Sequence, residues 1–232
     1  DLGLNTILST IKRLGVERDI PALPAITLGA AELTPLEVAN MYQTISSGGF
    51  YTPLLAISSV VDGHGKVLTS YPIDIQKRFD SGAVYTLRHA LQAVTHEGSA
   101  KALQWLLPDF AVAGKTGTSN DLRDSWFAGF SDDMQAVVWL GRDDNQPMGL
   151  TGSSGALRVW ADIFKARAVQ PLQNLPPKGI SIAWVDGETG VGSQDSCSNA
   201  IPLPFVNGSE PTEEIRCKTS DKVIDWFRHL IN

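Results

Sequence analysis

Lys115-Thr116-Gly117-Thr118 is the part of this 232-residue chain best suited to chemistry. A lysine supplies a fixed positive charge for a carboxylate, and the hydroxyls of Thr116 and Thr118 place short donors beside it. Gly117 has no side chain, so an extended ligand backbone can approach closely. If the segment is an exposed strand, the N–H of Thr118 can donate to an oxyanion formed during acyl transfer, a contribution of about 3 kcal/mol in such sites. The four residues therefore suit a peptide that ends in a carboxylate. Taken alone, K-T-G is a weak signal, because a lysine in a solvated β-turn accounts for it more simply.

Other candidates compete. Ser9-Thr10-Ile11-Lys12 is a literal S-x-x-K, the pattern of a nucleophilic serine with its lysine base. It sits inside an amphipathic pattern close to the chain start and too near Lys115 in sequence, so it reads as a decoy. His89 and His96 are seven positions apart with Glu97 beside them. Without further ligands they do not make a metal site, and no metal or other cofactor is expected. Arg123, Asp124 and Trp126 follow the motif and either border a groove or form a solvated turn. Trp105, Trp126, Trp139 and Trp160 are expected as core or cleft-wall aromatics. Asn207-Gly208-Ser209 matches a glycosylation sequon, which alone implies little.

These residues need elements to position them. Leu4, Ile7, Leu8, Ile11 and Leu14 recur at helical steps, and Gly15 suits a helix C-terminus. Thr34-Pro35-Leu36-Glu37 reads as a capping box opening a helix to about Ser46, stopped by Gly48-Gly49. Residues 56–62 and 66–71 flank Gly63-His64-Gly65 and predict a hairpin. Val84, Leu87, Leu91 and Val94 mark a further helix closed by Gly98, and residues 100–107 allow another turn or two. Residues 110–114 read as a strand leading into K-T-G, and 125–130 and 134–140 as two more strands joined by Ser131-Asp132-Asp133. After Gly152-Ser153-Ser154-Gly155 comes a helix with Leu157, Trp160, Ala161, Phe164 and Ala168 on one side. Beyond Pro171 to Pro177, residues 180–185 suggest a small strand pair bounded by turns. The region of Pro202, Pro204 and Pro211 reads as irregular, and residues 220–230 as a terminal helix.

Composition narrows the function. Lys and Arg total 19 against 25 Asp and Glu, a net charge of −6, and the basic residues are scattered, so nucleic acid is not an expected partner. At 43% hydrophobic residues the chain can bury a core, and no apolar run approaches the roughly 18 residues that cross a bilayer. Asp1 looks like a cut edge, with neither an initiator Met nor a leader before it. Both cysteines, Cys197 and Cys217, lie in the last quarter. In an extracytoplasmic protein that pattern favours a single disulfide over a metal site.

Context raises the weight of K-T-G. The run A-G-K-T-G-T-S-N-D-L-R-D-S-W-F-A-G-F-S-D-D-M-Q-A-V-V-W-L-G-R-D-D, with I-T-L-G-A-A-E-L-T-P-L-E-V-A-N-M-Y-Q-T-I-S-S-G-G at residues 26–49, resembles the bifunctional, class A penicillin-binding proteins. The resemblance covers about residues 1–170. It implies an α/β (α+β) penicillin-binding and β-lactamase-like fold, an antiparallel sheet flanked by helices, incomplete in this chain. Residues 1–172 would be the C-terminal part of the transpeptidase domain, and residues 173–232 a small appendage. The implied activity is a serine D,D-transpeptidase that cross-links peptidoglycan stem peptides through an acyl-enzyme and is inhibited by β-lactams. A D,D-carboxypeptidase or β-lactamase-like hydrolase, or a non-catalytic cell-wall scaffold, is the alternative.

By the same resemblance, Lys115, Thr116, Gly117 and Thr118 bind substrate, and Lys115 and the Thr118 N–H serve catalysis. No S-x-N occurs in the 232 residues. The nucleophile and the S-x-N pair are therefore expected upstream of Asp1, leaving the chain alone inactive. The implied partners are a D-alanyl-D-alanine donor, an amine acceptor, β-lactam antibiotics, the upstream part of the polypeptide and periplasmic regulatory proteins. The implied location is the periplasmic face of the inner membrane, anchored by an upstream segment. An oxidising periplasm would let Cys197 and Cys217 pair, closing a loop of about 20 residues worth roughly 3 kcal/mol.

Overall fold

A computed structural model describes residues 2–215. The chain divides after Leu175 into two compact units. Cys217 and the helix expected at residues 220–230 lie outside the described residues.

The first unit is built around a three-stranded antiparallel sheet in the order β1-β2-β3, with β1 at Ala113–Thr118, β2 at Ser125–Phe130 and β3 at Gln135–Leu140. The register pairs Lys115 with Ala128, Thr116 with Phe127, Gly117 with Trp126 and Thr118 with Ser125. Side chains alternate along each strand, so Thr116, Thr118, Phe127 and Ser125 share one face and Lys115, Gly117, Trp126 and Phe130 the other. β1 begins at Ala113, so residues 110–112 are not strand as expected. They serve as acceptors for other elements: the Val112 carbonyl accepts from Thr95 Oγ1 at 3.0 Å and the Ala111 carbonyl from the Leu172 amide at 2.8 Å.

Helix α4, Ala156–Lys165, covers the face of Phe127. Phe127, Leu157, Trp160 and Phe164 are buried there, with Trp160 stacked on Phe164 at 3.7 Å and edge-on to Phe127 at 5.0 Å. Each such side chain contributes on the order of 1.5–3 kcal/mol on leaving water. Trp160 Nε1 also donates to the Ala136 carbonyl at 3.0 Å, satisfying its one polar atom. The helix ends at Lys165, so Ala168 lies beyond it and is exposed, against expectation.

The opposite face is covered by α2, Pro35–Ser46, which opens on the expected capping box with Pro35 in its first turn. Thr34 Oγ1 accepts from the Glu37 amide at 3.2 Å, and Glu37 Oε2 accepts from the Thr34 amide at 2.8 Å. That amide and Arg18 hold the Glu37 carboxyl below the usual carboxylate range. Tyr42 on this helix meets Phe130 edge-on at 6.4 Å, and burial pushes its hydroxyl up to about 12. Helix α1, Leu4–Leu14, ends at Gly15, whose φ of 119° is left-handed. A Cβ there would also meet the Tyr51 ring at 2.7 Å, so glycine is required for two reasons. Helix α3, Ser81–His96, is capped by Asp80 Oδ1 and lies against β1. A turn at Leu103–Leu106 follows it. There Trp105 is 75% exposed and so lies outside the core. The expected hairpin is present as Ser59–Val61 paired with Val67–Ser70.

The second unit contains a ribbon of Ile180–Asp186 (β4) and Ala200–Val206 (β5). The partner strand lies where the prolines suggested irregular chain. Asn207 N–H donates to the Gly179 carbonyl and Gly187 N–H to the Asn199 carbonyl, each at 2.9 Å, which places the odd-numbered residues of β5 in the hydrogen-bonded pairs. Pro202 and Pro204 fall on the other parity, where a missing N–H costs no ladder bond. Cys197 lies in the connection, its amide donating to the Gln194 carbonyl at 3.0 Å. No described helix is long and apolar enough to cross a membrane.

Candidate functional site

The four K-T-G-T residues form the C-terminal part of β1, the outer strand of its sheet. The Ser119 amide donates to the Asp124 carbonyl at 3.2 Å, so this pair continues the ladder and fixes its parity. Lys115 and Gly117 then bond towards β2, while the backbone N–H and C=O of Thr116 and Thr118 face the edge that no described strand pairs with. Lys115 Nζ donates to the Thr116 carbonyl at 2.9 Å, which brings the ammonium to that edge. The structure thus brings the Lys115 ammonium to the edge that carries the Thr118 N–H, with the Thr116 and Thr118 hydroxyls on the adjoining face of the same strand. Gly117 faces Trp126 rather than open space: a Cβ there would lie 3.0 Å from Trp126 Cβ.

Both threonine hydroxyls have partners from distant segments. Thr118 Oγ1 accepts from the Gly152 amide at 2.9 Å, and Thr116 Oγ1 lies 2.5 Å from Ser99 Oγ. Gly152 sits directly on the strand pair. A Cβ there would lie 2.6 Å from the carbonyl oxygens of both Gly117 and Trp126 and 2.9 Å from Thr116 Cβ, so only glycine fits. Ser125, fully buried, locks the same loop: its Oγ donates to the Thr151 carbonyl at 2.8 Å and accepts from the Ala156 amide at 2.9 Å. These contacts tie the start of α4 to the end of the K-T-G strand. Ser99, Gly152 and Ser125 are the residues that sequence reasoning missed. Their partners are 17 or more positions away, and the only local signals were Gly98 closing a helix and the glycine-serine run before α4.

The turn after β1 is tightly built. Asp121 and Leu122 both have positive φ, 60° and 56°, an unusual conformation for two successive non-glycine residues. Ser119 Oγ accepts from the Asp124 amide at 2.8 Å and closes the turn. Asp124 Oδ1 in turn accepts from Trp139 Nε1 at 2.9 Å, and Trp139 packs on Trp126 with centroids 6.0 Å apart. Asp124 and Trp126 therefore belong to one aromatic wall on the Lys115 face, whereas Arg123 pairs with Asp121 at 3.4 Å in solvent. Such exposed pairs contribute little.

The S-x-x-K near the start has a different character. Ser9 Oγ donates back to the Thr6 carbonyl at 2.9 Å, and Lys12 Nζ stands 3.9 Å from Asp19. Neither side chain is directed to the other. Among the described residues no group of His, Cys, Asp and Glu side chains is arranged to hold a metal.

Residues 21–166, which include the whole K-T-G sheet, match the model of the penicillin binding protein transpeptidase domain. The chain belongs to the penicillin-binding protein transpeptidase family. Within it the chain is 1B-like. It is 38% identical over 230 residues to penicillin-binding protein 1B of Vibrio cholerae, covering 99% of this chain and 29% of that protein. With penicillin-binding protein 1B of Escherichia coli it shares 40% identity over 212 residues, 90% of this chain and 24% of that protein. The chain thus spans less than a third of the curated relatives it matches. Among solved structures, penicillin-binding protein 1A of Haemophilus influenzae superposes with a TM-score of 0.82 at 24% identity, covering 91% of this chain and 38% of that one. Penicillin-binding protein A of Mycobacterium tuberculosis, solved as a ceftriaxone acyl-enzyme complex, matches at 0.57 and 19% identity over 71% of this chain and 43% of that one. These likenesses establish a penicillin-binding transpeptidase fold.

Proposed function

We propose that this chain is the carboxylate-binding half of a serine D,D-transpeptidase site. Lys115, with the hydroxyls of Thr116 and Thr118, receives the terminal carboxylate of a D-alanyl-D-alanine stem peptide or of a β-lactam that imitates it. The Thr118 N–H donates to the oxyanion as the acyl-enzyme forms. The nucleophilic serine and its lysine come from polypeptide other than these 232 residues; the serine breaks the D-alanyl-D-alanine amide and releases the terminal D-alanine, and an amine on a neighbouring peptidoglycan strand then displaces the serine from the acyl group to form the cross-link. The observation that carries this reading is the edge of β1 that no described strand pairs with, where the Lys115 ammonium meets an outward N–H and the two threonine hydroxyls adjoin it. Work at the periplasmic face of the inner membrane, and Cys197 paired with Cys217, fit the same proposal.

The test uses the full-length protein, treated with a fluorescent penicillin, digested, and the labelled peptide mapped. A label on a serine outside residues 1–232 is expected. A label on Ser9, or none anywhere, overturns the assignment. Supplying a D-alanyl-D-alanine stem peptide with and without an amine acceptor then separates cross-linked product from hydrolysis, the outcome expected of a carboxypeptidase.

A further inference from the structure

A hydroxyl carries one proton and two lone pairs, so a partner that donates to it leaves its proton for something else. Thr118 Oγ1 already accepts from the Gly152 amide, a donor that cannot reverse. Its proton is free for an anion at the strand edge. Thr116 Oγ1 and Ser99 Oγ, 2.5 Å apart, are both hydroxyls, and either can donate to the other. A carboxylate beside Lys115 decides the direction. If Thr116 donates to Ser99, it turns lone pairs towards a negative charge. If Ser99 donates to Thr116, the Thr116 proton makes a charge-assisted bond about twice as strong as a neutral one.

Ser99 is well held for this. It follows Gly98 in the turn after α3, where a Cβ would lie 2.8 Å from Val94 Cα. The Ala100 amide donates to the Val94 carbonyl at 3.2 Å and the Lys101 amide to the Gly98 carbonyl at 3.1 Å. Ala100 itself is fully buried in the core beneath the sheet. The backbone that carries the serine is thus held on a hydrogen-bonded turn, which keeps its hydroxyl beside Thr116 Oγ1. We propose that Ser99 is a positioning residue for carboxylate recognition: its hydroxyl donates to Thr116 and turns the Thr116 proton towards the bound carboxylate. The inference rests on the reading of K-T-G given above.

The test compares Ser99→Ala, Ser99→Thr and Thr116→Val, with the Ser99→Ala/Thr116→Val double variant, in the full-length protein. Two probes are used: a fluorescent penicillin and its methyl ester, which lacks the carboxylate charge. The binding and acylation steps are read separately, and melting curves confirm folding. Ser99→Ala is expected to weaken penicillin binding about fivefold, the scale of one lost hydrogen bond, with the acylation step unchanged. Ser99→Thr restores binding to within about twofold, the ester is bound equally well by wild type and Ser99→Ala, and Ser99→Ala adds no further loss in the Thr116→Val background. Unchanged penicillin binding in Ser99→Ala, an equal loss with the ester, or a full additional loss in the Thr116→Val background overturns the role of Ser99. If Thr116→Val leaves penicillin binding intact, the K-T-G reading itself falls.

Discussion

Two segments of this molecule pair hydroxyls with a lysine, and they behave in opposite ways. In α1, Ser9 and Thr10 both turn back onto the Thr6 carbonyl, at 2.9 and 2.8 Å. A helix offers every serine or threonine an acceptor one turn behind it, so such hydroxyls satisfy themselves locally. In β1 the short threonine side chains stand out from the pleat, with no carbonyl one turn behind them to accept. Thr116 and Thr118 therefore take partners from elsewhere, Ser99 and Gly152; the Gly152 amide makes Thr118 Oγ1 an acceptor, while Ser99 and Thr116 can each donate to the other. A hydroxyl becomes available to a ligand where local backbone cannot absorb it and a distant donor fixes it.

The largest effect should follow removal of the charge at the strand edge. Lys115→Ala in the full-length protein is expected to slow acylation by penicillin about tenfold to a hundredfold, the range for losing a hydrogen bond to a charged group. Unchanged acylation kinetics would remove Lys115 from the site and erase the contrast with α1. Next comes Gly152→Ala, which forces a methyl against the Gly117 and Trp126 carbonyls and should cost about 1–3 kcal/mol. A melting temperature equal to wild type would mean that the loop does not rest on β1.

Thr34→Ala removes the α2 cap and should cost about 1 kcal/mol without altering penicillin acylation. Its partner Glu37 adds a pH dependence. The folded pKa is depressed, so its contribution is complete above the unfolded carboxylate value and disappears as pH falls through the folded value. Melting midpoints across the acid range should fall less steeply in Glu37→Gln than in wild type. Smallest of all is Ser9→Ala, expected within about 0.5 kcal/mol of wild type and with normal acylation. Any loss of penicillin labelling in that variant would make the S-x-x-K functional and reverse the comparison.

How much of this was legible follows from the range of the interactions. The end of α1 at Gly15, the capping box at Thr34 and the turn between β2 and β3 depend on residues a few positions apart, and sequence reading places them well. The K-T-G segment was legible for the same reason, since its residue types are contiguous. The start of β1 was misplaced because Ala111 and Val112 are claimed by Leu172 and Thr95, partners that no local pattern reveals. Ser99 and Ser125 escaped notice on the same account. Proline content misdirected the reading of β5, because what matters is the parity of a proline against its partner strand.

That parity has a consequence for how the second unit behaves in a crowded solution. An exposed β-strand presents a row of amides and carbonyls on which another chain can assemble. On β5 the outward positions of Pro202 and Pro204 have no amide to offer, so an incoming strand finds acceptors without their alternating donors. Among the described residues no strand pairs with that edge of β5, and the ribbon can therefore keep apolar residues such as Ile201 and Val206 there while remaining a poor template for aggregation.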